Sequence, residues 1–211
     1  MVTRSESDYA WDFCGGQLAI DFTNTVGSRG SEPEEHFGTY GDILSWAETR
    51  GVIGRTEAQR LRQDAARRPA AARDALAEAV ALREALYRVI AATASGRKPA
   101  PADLASVNAQ VPTSFAGAHL EPDRGRLALA FDPPGRSRLA EPILTPVVRA
   151  AIDLLTGDAA ARVRLCADES CAWLFLDTTR NRTRRWCVMK ECGNRNKVRR
   201  FRSAERALAR G

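Results

Sequence analysis

The chain has 211 residues, 44 % of them apolar, with five cysteines and a formal net charge of +6. That is enough apolar material for one sizeable core, and no run approaches the eighteen apolar residues of a membrane span. The polar, acidic first residues lack the basic-then-apolar order of a secretion signal, so the expected location is the cytoplasm.

Residues 17–26 (QLAIDFTNTV) put Leu18, Ile20 and Phe22 at alternate positions and predict a strand entered through Gly15-Gly16. Residues 27–38 read as a polar loop. Ile43, Leu44, Trp46 and Ala47 predict a helix over 40–50 that stops at Gly51. A second helix follows from Thr56 to about Pro69. The longest periodic stretch, 70–94, repeats Ala75, Ala79, Leu82, Leu86 and Val89 at three- and four-residue steps and predicts one long helix with an apolar stripe. A short helix is expected over 102–110. Residues 115–120 and 126–131 flank Pro122-Asp123-Arg124-Gly125 and predict a β-hairpin, ended by Pro133-Pro134-Gly135. Ile143, Val147, Ile152 and Leu155 predict a buried helix over 142–155, with Pro146 in its first turn.

The composition changes at about Ala160. The expected fold class is α+β. A mostly helical domain with a small sheet or hairpin over 1–160 serves sensing or dimerisation. A small treble-clef or ribbon-like four-cysteine finger with a basic C-terminal helix follows over 161–211. From Arg162 onward there are 14 Lys and Arg against 5 Asp and Glu, leaving 18 basic and 21 acidic residues before it, so the basicity belongs to one end. Some fifty core-poor residues need a staple to fold.

Cys166-x4-Cys171 and Cys187-x4-Cys192 supply one. Two close pairs on two turns deliver four soft ligands to tetrahedral corners, which suits one structural zinc with no open position for catalysis. Two disulfides, unrelated buried thiols and an iron–sulfur cluster are the alternatives. Cys14 stands apart and reads as a buried or idle thiol. The run Trp173-Leu174-Phe175-Leu176 predicts a strand covering the metal, and Asp177 a local cap.

From Arg180 to Arg202 ten basic residues face a single acid, Glu191. The candidate nucleic-acid contacts are Arg180, Arg182, Arg184, Arg185, Arg195, Lys197, Arg199, Arg200, Arg202 and Arg206. On a helix Arg195, Arg199, Arg202, Arg206 and Arg210 share one arc, with Phe201, Ala204 and Leu208 opposite. This predicts an apolar stripe packed on the finger and an arginine stripe facing outward, with Arg195 and Arg199 reading bases and Arg180–Arg185 on phosphates. Solvated charge and an acidic protein partner remain as alternatives. Trp186 packs over the metal or stacks on a base.

The run Asn181 to Met189 (NRTRRWCVM) and Cys192-Gly193-Asn194-Arg195-Asn196-Lys197 resemble the CGNR zinc finger. Residues Gly16 to Thr25 (GQLAIDFTNT) resemble the start of the ABATE domain. The resemblance implies a bacterial, stress-induced transcriptional regulator with a DNA-binding finger. The expected partner is therefore double-stranded DNA, with a homodimer to enlarge the footprint. A zinc-ribbon RNA binder is the alternative. An enzyme is not expected: Asp21, Asn24, Arg29 and His36 form the only polar constellation of the first domain, and no phosphate loop, serine elbow or histidine ligand pair accompanies them.

Overall fold

The computed structural model describes residues 9–132 and 138–208, excluding the side chains of residues 203, 204 and 206–208. Pro133-Pro134-Gly135, Arg210 and the first eight residues lie outside the described set, as do the side chains of Ala204, Arg206 and Leu208.

Eight helices and three two-stranded sheets are described: α1 (Leu18–Thr23), α2 (Tyr40–Thr49), α3 (Arg55–Arg67), α4 (Pro69–Ala94), α5 (Pro101–Asn108), α6 (Val111–Ser114), α7 (Glu141–Thr156) and α8 (Asn194–Leu208). The strands pair antiparallel as β1 (Val26–Gly27) with β2 (Glu34–Glu35), β3 (Ala118–Asp123) with β4 (Arg126–Phe131), and β5 (Val163–Leu165) with β6 (Leu174–Leu176). The fold is α+β, as expected. No described helix is long and apolar enough to cross a membrane.

The long helix α4 buries the stripe Ala75, Ala79, Leu82, Leu86 and Val89 against α1, α2, α3 and α7. α2 starts in a capping box in which Thr39 and Asp42 satisfy each other's backbone N–H groups. Pro146 sits inside α7, which nonetheless runs its full length.

The expected strand over 17–26 is a correction. Its first part is the helix α1, and only Val26 belongs to a strand. The Gln17 side chain accepts from the N–H groups of Ala19 (2.7 Å) and Ile20 (3.3 Å) and starts the helix. Its amide donates to the Ala150 carbonyl at 2.6 Å and ties the cap to α7. Five of the six residues of α1 are buried, so the helix has no solvent face to expose its period.

Strand β6 separates two cores. Leu174 and Leu176 point into the helical core with Val163 and Leu165, whereas Trp173 and Phe175 pack with the four C-terminal cysteines. This strand, whose faces alternate, is thus shared by the two cores.

Candidate metal centre and nucleic-acid surface

Cys166 and Cys171 sit in the connection between β5 and β6. Cys187 and Cys192 precede α8, Cys192 within the π-helical turn Met189–Gly193. All four are buried, and their Sγ atoms lie within 4.8 Å of one another. Cys171–Cys187 and Cys187–Cys192 are each 3.6 Å apart. A disulfide needs about 2 Å, and all five cysteines are free thiols. Four sulfurs about 2.3 Å from one zinc stand about 3.8 Å apart, so the cage has the right size for that ion.

Electrostatics points the same way. Hydrogen bonds from the Cys171 and Cys187 thiols draw Cys166 down to about 2. Cys171 is pushed up chiefly by its contact with Cys166, Cys187 chiefly by Cys14, and Cys192 by burial. Four thiolates in mutual contact require a cation to coexist, and a divalent one supplies the charge.

Asp168, inside the first cysteine loop, is fully buried. It accepts from the backbone N–H and hydroxyl of Ser170. Two guanidinium groups from α8 reach it: Arg195 Nε at 2.7 Å and Arg199 Nη1 at 3.0 Å. Burial pushes the Asp168 carboxyl up, but the hydrogen bonds from Arg195 and Ser170 outweigh it and hold it below the usual carboxylate range. Arg195 also donates to the Cys192 Sγ at 3.0 Å, joining the helix to a metal ligand.

This corrects the expected orientation of α8. Arg195 and Arg199, each still half exposed, pair with Asp168 and fasten the helix, while Val198 (48 % exposed) and Phe201 (65 % exposed) face solvent, so the apolar stripe does not pack on the finger. A buried carboxylate inside the finger outweighs an apolar stripe, because a charge left alone in the interior costs more than two exposed apolar side chains. Arg184 is half-buried. Its guanidinium lies 4.5 Å over the Phe175 ring and donates to carbonyls of Cys14, Trp186 and Cys187.

Arg180, Arg182, Arg185, Lys190, Lys197, Arg200 and Arg202 are exposed and make no ion pair with a described residue. A cleft of about 680 Å³ opens at Arg185, lined also by Cys14, Thr179, Thr183, Arg184 and Trp186 among others. Trp186 packs against the cysteine cluster, with Arg185 5.1 Å over its ring and its Nε1 buried without a hydrogen-bond partner among the described residues. Asp177 is buried and caps the basic loop, accepting from the backbone of Thr179 and Arg184.

The polar constellation of the first domain is dispersed into separate structural tasks. Asp21 accepts from the Gly15 N–H and pairs with Arg50 at 2.8 Å. Asn24 exchanges two hydrogen bonds with the Leu174 backbone, fixing β6 to α1. Arg29 pairs with Glu84 and covers Tyr87. His36 is buried and stacks on Tyr9 at 3.9 Å. Cys14 is a partly buried thiol packed against the cysteine cluster. Sequence reasoning missed Asp168, whose arginine partners lie 27 and 31 residues away, and gave no partner for Asn24, whose bonds reach the Leu174 backbone 150 residues away. The one available signal was an acid lying inside a four-residue cysteine loop.

Comparison with known proteins follows the same division. The family model for the ABATE domain, described as "Putative stress-induced transcription regulator", matches residues 16–158. The model for the CGNR zinc finger matches residues 162–205. No curated protein matches the chain. The buried four-cysteine cage is thus a zinc-binding site.

Proposed function

This chain belongs to the ABATE family and carries a CGNR zinc finger, and from that premise we propose that it is a regulator whose finger, built on one structural zinc, binds double-stranded DNA. The supporting observation is the segregated basic charge: Arg180, Arg182, Arg185, Lys190, Lys197, Arg200 and Arg202 are all exposed on the finger. Such a surface gains affinity by releasing counterions from phosphate. Four thiolates would close the coordination sphere of the zinc, whose task is to hold the two turns and α8 rigid. Arg195 and Arg199, tied to Asp168, aim the helix, and the exposed basic residues outside that pair of ion bridges make the contacts. Binding, and not catalysis, is the activity this arrangement serves, and a second copy of the chain would double the footprint.

The test is duplex binding by the full chain between about 50 and 200 mM salt. If about five phosphates are met, log affinity falls against log salt with a slope near −4.5. Arg182→Ala, Arg185→Ala and Arg200→Ala each lower the slope by about 0.9. A flat salt response removes nucleic acid as the partner. Phe201, exposed one turn after Lys197, supports a second reading in which an unpaired base stacks on this helix. Competition between duplex DNA and structured RNA at fixed salt separates the two.

A further inference from the structure

The hairpin β3–β4 carries the largest exposed apolar side chains outside α8. Leu120, Leu127 and Leu129 are 65 %, 69 % and 55 % exposed. The register pairs Leu120 with Leu129 and Pro122 with Leu127, so all four residues share one face of the ribbon. Its described anchors lie at the base, where Phe131 packs edge-on against Phe115 at 5.7 Å and under the Arg149 guanidinium at 3.4 Å. A lone two-stranded ribbon with an apolar face is marginal in water. The two outer edges differ in kind. β3 carries Glu121, Asp123 and Pro122, which has no N–H to offer a neighbour, and these are the devices that blunt an edge. β4 reads Arg-Leu-Ala-Leu-Ala-Phe, with no acid, no proline and no glycine.

We propose that the outer edge of β4 pairs antiparallel with the β4 of a second copy of this chain, centred on Leu129, to form a four-stranded sheet across two chains. The backbone parity allows it. The loop Arg124–Gly125 (φ 48 and 81) joins the closing pair Asp123–Arg126, and the Asp132 N–H donates to the Gly117 carbonyl at 3.1 Å at the other end. Residues 126, 128, 130 and 132 therefore spend their backbone groups inside the hairpin. Leu127, Leu129 and Phe131 direct theirs outward. In the proposed register Leu129 meets the partner's Leu129, and Leu127 meets the partner's Phe131, all outward-directed positions. The same register sets Arg126 opposite the partner's Asp132, twice by symmetry. Both side chains are available: Arg126 is exposed, and Asp132 is 70 % exposed, its one ion-pair approach among the described residues being His119 at 3.9 Å. The surface is thus self-complementary in hydrogen bonding, apolar contact and charge, as a two-fold interface requires.

This inference rests on the expectation of a pair in the proposed function but not on DNA binding, and the two fail separately. Sedimentation of the full-length, zinc-loaded chain at micromolar concentration is expected to give a dimer. Arg126→Glu sets a like charge against the partner's Asp132 at two symmetric places and should weaken dimerisation about tenfold. Asp132→Arg should do the same, and the double variant Arg126→Glu/Asp132→Arg should restore the wild-type constant to within about threefold. All three changes lie on exposed side chains, so circular dichroism should be unchanged. A monomer, a dimer that neither single reversal weakens, or weakening that the double reversal does not repair overturns the proposal. Duplex affinity of the Arg126→Glu chain, measured as a monomer, then reads the finger by itself.

Discussion

Asp168 has no exposed surface, yet it organises the finger by holding Arg195 and Arg199. Asp168→Ala leaves two guanidinium groups without their counter-charge but touches no thiol. Zinc content should stay the same, while amide exchange over residues 194–202 accelerates. Unchanged protection there would mean that the helix is held by something else. Asp21 makes a different case. Burial pushes its carboxyl above the ordinary value, and this outweighs the hydrogen bond and charge of Arg50 and the Gly15 N–H, which pull it down. A group whose folded pKa is raised favours the fold while protonated. Its contribution is present below the unfolded pKa and is lost as pH rises through the folded one. Asp21→Asn removes that titration, so the melting temperature of the variant relative to wild type should climb as pH rises through and above the ordinary aspartate range. A difference that stays flat or falls over that range would contradict the raised value.

At the scale of elements, β6 and α8 depend on different things. β6 is sewn into the helical core by Asn24 and by Trp173, whose Nε1 donates to the Val26 carbonyl at 2.6 Å. Trp173→Phe leaves that buried carbonyl unpaired and should cost about 1–3 kcal/mol in urea unfolding of the zinc-loaded protein. α8 instead packs chiefly on the π-helical turn it grows from. Chelation should therefore release α8 while α4 keeps its amide protection, and hydrogen exchange reads both at once. Loss of protection in α4 together with α8 would show that the finger and the helical core unfold as one unit. The helices α2, α3, α4 and α7 were legible in the sequence because each has an apolar face with polar residues elsewhere. α1 was not, because burial on every side erased its period and left the alternation of Leu18, Ile20 and Phe22 as the visible signal.

For the whole molecule, the decisive contact joins the loop after α1 to the first cysteine turn. The Gly30 N–H donates to the Ser170 carbonyl at 3.3 Å, and a Cβ at Gly30 would run into the Glu169 carbonyl. Gly30→Ala should therefore push the loop off the finger and destabilise the chain by about 1–3 kcal/mol, seen as a lowered thermal midpoint with all four thiols still protected. The sequence by itself determined the zinc ligands, the segregated charge and most of the helices, because each is written in local spacing: two four-residue cysteine loops, a one-sided run of arginines, and three- and four-residue apolar steps. Tertiary structure alone decided which face of α8 looks outward and how the finger attaches. Both depend on buried polar groups, Asp168 and Asn24, whose partners lie 27 to 150 residues away. A buried charge or amide must be answered wherever the chain brings a partner, and no local period records that demand.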